Sequence, residues 1–389
     1  MGVNPVSREV HIVIVSEKRQ LSNPDNFSSL LLTLVALSGE FPASQSRRFS
    51  ASETYPDFAV KRLKHDKLLR TYYNNGLRGL RLTAKAKKLL TADQPDQFTP
   101  LFVGDTMTST PKYTIVHRLR LHRMAEVLVS MFNAGVTVFP WEKPIVFTPT
   151  LLDHAPYIDR PVYFSSCEVK NIGLMANKIR NSRSTGVLLT NDSIFAVYNT
   201  GASEMKWEHR AEIRLKSFLE IELCLHRLPG QFAGVKQNAI MFGADMDCLL
   251  PLMGEGSINH QNYFLSGESF PHFHYLTSDH YGDLILRLLC EPDEQAILNS
   301  ILSQDLSPPQ PGLVVENDAM DGDEPVLFAY TCDMPRIKRF DNALGLHEKM
   351  GTLYCFDFQE EALRKLCGSN VSIQTIDFNA YEGSVFHSA

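Results

Sequence analysis

The stretch Leu69-Arg70-Thr71-Tyr72-Tyr73-Asn74-Asn75-Gly76-Leu77-Arg78-Gly79-Leu80-Arg81-Leu82 sets two short runs on either side of an Asn-Gly pair. Asn and Gly both accept left-handed backbone, which a tight hairpin turn requires, so the spacing predicts strands over 69–73 and 77–82. Upstream, Ser22, Pro24 and Asp25 form a helix entry, and apolar residues 30–37 follow until Gly39 ends the run. Pro42-Ala43-Ser44-Gln45 turns into a second short helix. Thr54, Pro56 and Asp57 start a third helix that reaches about residue 69. Downstream, Thr83 caps a helix over 84–90.

Charge singles out the same region. The 389-residue chain has a net charge of −6, yet residues 44–90 hold twelve Lys and Arg against three Asp and Glu. A strongly basic module on an acidic body points to a polyanion partner. Three helices followed by a two-stranded wing is the order of a winged helix-turn-helix, which places its third helix in the major groove of DNA. Leu30, Leu31, Leu34, Leu37, Phe49, Phe58, Leu63, Leu68 and Leu82 are the expected core of this module. The expected DNA contacts are Lys61, Arg62, Lys64, His65 and Lys67 on the third helix, Arg78 and Arg81 on the wing, and Arg47 and Arg48 on the preceding helix.

The run Leu82-Thr83-Ala84-Lys85-Ala86-Lys87-Lys88-Leu89-Leu90 is similar to the wing-to-helix ending of bacterial winged-helix proteins, with Ala86 where Gly is usual. Together with His117-Arg118-Leu119-Arg120-Leu121 at the start of a long helix, it resembles the replication-relaxation proteins of Gram-positive plasmids and conjugative elements. The resemblance covers about residues 25–200. It implies a winged helix joined through a helix to an α/β domain, and a DNA-binding accessory role in mobile-element replication, relaxation or transfer. It carries over no catalytic residue.

The domain reading is therefore a winged helix over 22–92, a linker over 93–112 marked by Pro95, Pro100 and Pro111, and an α/β domain over 113–389. In the last, a helix is expected over 113–134, strands over 136–139, 145–147 and 162–170, a helix over 173–183, a strand pair over 186–190 and 194–198, and a helix over 204–227. From 237 to 380 strands alternate with helices, which suggests a mainly parallel sheet. An exposed acidic loop is expected over 305–325.

Within 113–227 the sharpest chemical pattern is Glu168-Val169-Lys170. On a strand, alternation would put Glu168 and Lys170 on one face. With Asp159, or else Asp153, as second acid, this is the pattern of a PD-(D/E)XK nuclease core. Asp159 and Glu168 would hold Mg²⁺ as cofactor and Lys170 would orient the attacking water. A DNA nuclease is thus one alternative, and the competing reading is a salt-bridged strand edge. Asp245-Met246-Asp247 with Glu168 is a weaker carboxylate set of Toprim type. Asp245, Asp279, Asp333 and Asp357 follow or end predicted strands, where they either cap helices or line a ligand edge. A ligand edge would make the chain a transcription regulator with a sensor domain. His272-Phe273-His274 lacks a third metal ligand nearby, and Trp207 reads as a packing anchor.

No Gly-rich phosphate loop or dinucleotide fingerprint is present, and no apolar run approaches membrane length. The seven cysteines show no CxxC spacing, so idle reduced thiols in a cytoplasmic protein are expected.

Overall fold

In the computed structural model the described residues are 24–50, 52, 54–102, 114–179, 181–202, 209–253, 270–310 and 312–386. The fold is mixed α/β and divides into two units, Met1–Val129 and Ser130–Ala389.

The first unit opens with helix α1 (Pro24–Ser38), ended by Gly39 at φ +71°. A two-residue strand β1 (Phe41–Pro42) and a 3₁₀ turn (Ala43–Arg47) lead to α2 (Tyr55–His65). The hairpin β2 (Leu69–Asn74) and β3 (Leu77–Leu82) closes through Asn75 at φ 49° and Gly76 at φ 80°. Two left-handed central residues make the turn that matches strand twist. The sheet order is β1-β3-β2, all antiparallel. Thr83 caps α3 (Ala84–Asp93), its hydroxyl accepting from the Ala86 amide at 3.2 Å. Phe27, Leu31, Leu34, Phe41, Phe49, Leu63, Leu68, Leu80 and Leu82 are buried here. Phe58, expected in this core, is 62% exposed, because α2 buries Pro56, Ala59 and Leu63 and turns Phe58 away.

Residues 95–102 of the expected linker are helical. Pro95 starts helix α4 (Pro95–Phe102), a position where its missing N–H costs nothing. Phe98 and Phe102 are buried, and α4 packs on α1 and α3. Residues 103–113 lie outside the described residues. Helix α5 (Ile115–Asn133) begins in this unit, and the division falls within it.

In the second unit the strands expected over 136–139 and 145–147 do not form. Only Thr137 bridges to Val162, and Pro140–Glu142 is a 3₁₀ turn. Pro140, Pro144 and Pro149 flank both stretches, and each lacks the amide that would extend a ladder. β4 (Val162–Ser165) stops short of Glu168, and α6 (Ser166–Val169) replaces the rest of the expected strand. A 3₁₀ segment follows (Lys170–Ile179), broken at Gly173 with φ +80°. β5 (Gly186–Leu189), β6 (Ile194–Gly201), α7 (His209–Leu219) with a π-type continuation (Glu220–Arg227), α8 (Pro229–Phe232), β7 (Gln237–Gly243), α9 (Leu249–Met253), β8 (Phe273–Thr277) and α10 (His280–Cys290) complete the first half. Residues 203–208, including Trp207, lie outside the described residues. The sheet order is β4-β5-β6-β7-β8, antiparallel up to β6 and parallel from β6 to β8.

α11 (Pro292–Leu302) leads to a second sheet of β9 (Ala319–Asp321), β10 (Glu324–Phe328), β11 (Gly351–Phe356) and β12 (Val371–Ile376), with α12 (Met334–Leu346), α13 (Glu360–Leu366) and a final α14 (Phe378–Phe386). Its order is β12-β11-β10-β9, parallel except for β9. The stretch 305–325 is therefore more than a loop: β9 lies in it, with Val315, Ala319 and Met320 buried. Residues 331–333 lace the sheets together, since the Tyr275 amide donates to the Cys332 carbonyl at 3.1 Å. One apolar core runs through both sheets. All seven cysteines are unpaired and belong to this unit; Cys224, Cys290, Cys332 and Cys355 are buried and Cys167 is exposed.

Candidate nucleic-acid interface

Helix α2 is amphipathic by spacing. Pro56, Ala59 and Leu63 face inward, while Asp57, Phe58, Lys61, Arg62 and His65 are exposed on the opposite side. Arg62, Lys64 and His65 sit in its last turn, where cations complement the helix dipole. The chain then reverses at Lys67, exposed and left-handed at φ 60°. The Thr83 hydroxyl donates to the Lys67 carbonyl at 2.6 Å, and the Lys85 ammonium to the Asp66 carbonyl at 3.0 Å. These two bonds tie the end of α2 to the start of α3.

The hairpin presents its residues by alternation. Leu69, Thr71 and Tyr73 pair with Leu82, Leu80 and Arg78 and share one face. Leu69, Leu80 and Leu82 bury their part of that face, whereas Arg78 is exposed and Tyr73 is 70% exposed. Arg78 stands close enough to α2 that its charge, after partial burial, helps to depress the Lys64 ammonium. Lys61 and Arg78 both act on Asp57, whose carboxyl is held low chiefly by the Arg47 guanidinium at 2.7 Å. Arg48 is half-buried and donates to Gln45 Oε1 at 2.7 Å. Among the described residues, no carboxylate forms a salt bridge with Lys61, Arg62, Lys64, Lys67 or Arg78. The result is a surface of crowded cations, none of them in a salt bridge among the described residues, with Asp57 among them and two aromatic rings on it.

Arg81 does not belong to that surface. It is three residues from Arg78, an odd step that puts it on the other face of β3. There it is buried and donates from Nε to Glu40 Oε2 at 2.9 Å, with a second, shorter bond from its Nη2. Glu40 is itself fully buried. Arg118 of α5, also fully buried, donates to both Glu40 oxygens, at 2.6 Å and 2.9 Å to Oε1 and 3.1 Å to Oε2. His122, one turn further along α5, contacts Glu40 Oε1 at 2.9 Å through Nε2. Arg118 also donates to the carbonyls of Tyr72, Asn74 and Leu77, gripping the hairpin near its turn. The Tyr72 ring lies against both guanidiniums, 4.3 Å from Arg81 and 4.5 Å from Arg118. Gly79 makes room for this cluster, because a Cβ there would lie 2.2 Å from Glu40 Oε1. Burial pushes the Glu40 carboxyl up, but the bonds from His122, Arg118 and Arg81 outweigh it and bring it down to about 2.

The residues expected to form a nuclease centre sit in a different setting. Glu168 is not on a strand. It is the third residue of α6 and closes a capping box with Ser165: the Ser165 amide donates to Glu168 Oε2 at 2.8 Å and the Glu168 amide to Ser165 Oγ at 3.3 Å. Its other oxygen holds the buried Lys143 ammonium at 2.7 Å. Burial lowers the Lys143 pKa, and the Glu168 charge opposes that. Lys170 and Asp159 are exposed, and without the strand nothing sets Glu168 and Lys170 on one face. Among the described residues no group of three or more His, Cys, Asp or Glu is placed to hold a metal.

The remaining candidates have structural partners. Asp245 and Asp279 cap their helices, accepting from the Cys248 amide at 3.0 Å and the Gly282 amide at 3.1 Å. Asp333 accepts from His272 Nδ1 at 2.6 Å, and this bond raises the imidazole pKa. His274 bonds the Thr331 carbonyl at 3.0 Å, and burial lowers its pKa.

Sequence reading missed Glu40, Arg118 and His122, and it assigned Phe58 to the core. The signals were present: Arg118 and His122 lie one helical turn apart, and Arg78 and Arg81 are an odd number apart on a strand. Comparison of the chain with protein-family models, with curated proteins and with solved structures gives no match. Among the described residues, no helix is long and apolar enough to cross a membrane.

Proposed function

We propose that the chain is a cytoplasmic duplex-DNA-binding protein. In this reading its first unit is a winged helix: α2 is the recognition helix and the β2–β3 hairpin the wing. The observation that carries the reading is the group Lys61, Arg62, Lys64, Lys67 and Arg78, which crowds α2 and one face of the hairpin with no salt bridge to a carboxylate among the described residues and outnumbers the nearby Asp57. Crowding like charges costs free energy in the unbound protein, and a phosphate backbone removes that cost. The element order of the first unit supports the same reading, with α1, a 3₁₀ turn, α2 and then the hairpin. The second unit would bind partner proteins or a second copy of the chain. The resemblance to replication-relaxation proteins suggests a plasmid or conjugative element as the setting.

A salt titration of binding tests the reading. Replacing Lys61, Arg62, Lys64 and Arg78 together with Gln is expected to weaken binding to a random duplex. It should also flatten the log–log salt slope by about 0.9 for each phosphate that is no longer neutralised. Arg81 is left intact because it is part of the folded core. An unchanged slope in the quadruple variant would overturn the assignment.

A further inference from the structure

We propose that Phe58 reads the 5-methyl group of thymine, so that the preferred duplex carries a thymine opposite the first turn of α2; this rests on the DNA-binding reading above. Phe58 is the fourth residue of α2 and projects from its outward face. It is the large hydrophobic side chain that α2 exposes, at 62%, although Pro56, Ala59 and Leu63 already complete the buried side of the helix. Its neighbours on the outward face are Lys61, one turn on, and Arg62, four residues on. Lone exposed apolar residues are ordinary on protein surfaces. An exposed phenyl ring set among cations that make no salt bridge among the described residues differs, because their excess over Asp57 favours a polyanionic partner, and such a partner would cover the ring. The first turn of a recognition helix is the part that meets base edges. In the major groove the apolar feature of a base edge is the thymine methyl. Exocyclic amino groups, carbonyls and ring nitrogens make up the polar features there, and a phenyl ring offers none of them a conventional hydrogen bond. Tyr73 stands apart from this assignment, at the end of β2 beside the turn, where a wing would follow the backbone.

The experiment uses the full-length chain. A random 20-base-pair duplex pool is selected for binding, and the recovered duplexes are then made with thymine or with uracil throughout. Uracil pairs as thymine does and lacks only the methyl. Wild-type protein is expected to bind the thymine duplex about four-fold more tightly for each methyl that it touches. Phe58→Ala should bind both forms alike, at the level of the uracil form. Phe58→Leu, which keeps an apolar tip, should retain much of the preference, and Tyr73→Ala should retain all of it. Circular dichroism of each variant separates a local effect at the ring from unfolding. Equal wild-type affinity for the two forms, with normal salt dependence, would overturn the thymine assignment and leave DNA binding standing. A preference that survives in folded Phe58→Ala would also overturn it. Absence of any salt-dependent duplex binding would remove both.

Discussion

At Glu40 one carboxylate answers two guanidiniums and an imidazole, all of them buried. Removing the carboxylate leaves two buried guanidiniums without their counter-charge, which typically costs about 3–5 kcal/mol. Glu40→Gln is therefore expected to lower the stability of the first unit by that order, read by far-ultraviolet circular dichroism during urea unfolding. The pH dependence has a defined sign. The folded carboxyl is held near 2, below its ordinary 4.5. Its contribution is thus complete above pH 4.5 and disappears as pH falls towards 2. The gap between wild type and Glu40→Gln should be widest above pH 5 and should close in acid; a gap independent of pH would contradict the assignment. None of this was legible in composition. Arg81 counts as one more positive charge until the pairing of β3 shows which face it takes, and its partner is 41 residues away.

Elements whose signals are local were legible. The Asn75-Gly76 turn, the Thr83 cap and the Gly39 stop all form as expected, because each depends on the backbone of a few neighbouring residues. The failure at Glu168 has the same cause. Val162 to Lys170 contains a strand pattern, but Ser165-Ser166-Cys167-Glu168 is also a capping box, and the helix start wins. The bond to Lys143, 25 residues away, was not readable at all. Glu168→Gln should destabilise the second unit by about 3 kcal/mol, because it strands a buried ammonium. Adding Lys143→Met should recover most of that loss, since no charge is then left unpaired. Thermal melts of the single and double variants decide it: a catalytic Glu168 predicts no such rescue. Added Mg²⁺ should leave the melts unchanged, because the carboxylate is already engaged by Lys143 and the cap.

For the whole molecule, the alternation of strands and helices beyond residue 237 was legible, since each element carries its own periodicity. The grouping of strands into two sheets was not, because it depends on which edges meet and no local pattern encodes that. Domain limits are not encoded locally either. A boundary at residue 93 suits the prolines, yet α4 buries Phe98 and Phe102 and α5 supplies Arg118 and His122 to Glu40. A fragment of residues 1–93 would expose that apolar surface and leave Glu40 without Arg118 and His122. It is expected to unfold without a cooperative transition, while residues 1–133 should unfold cooperatively. A sharp urea transition in the shorter fragment would show that α4 and α5 are dispensable.

The cysteines, all of them beyond Val129, divide the molecule for any optical or chemical probe. Both tryptophans, Trp141 and Trp207, fall on the same side of that division. Indole emission and thiol labelling therefore see the second unit alone. Cys167 should react at once with a water-soluble disulfide reagent, whereas Cys290, Cys332 and Cys355 should react only when the surrounding core opens, so their labelling rate becomes a clock for that opening. The first unit is silent in both channels and must be followed through its tyrosines, among them Tyr72 beside its two guanidiniums. The loss expected in Glu40→Gln is therefore best read through those tyrosines, because the first unit holds neither an indole nor a thiol.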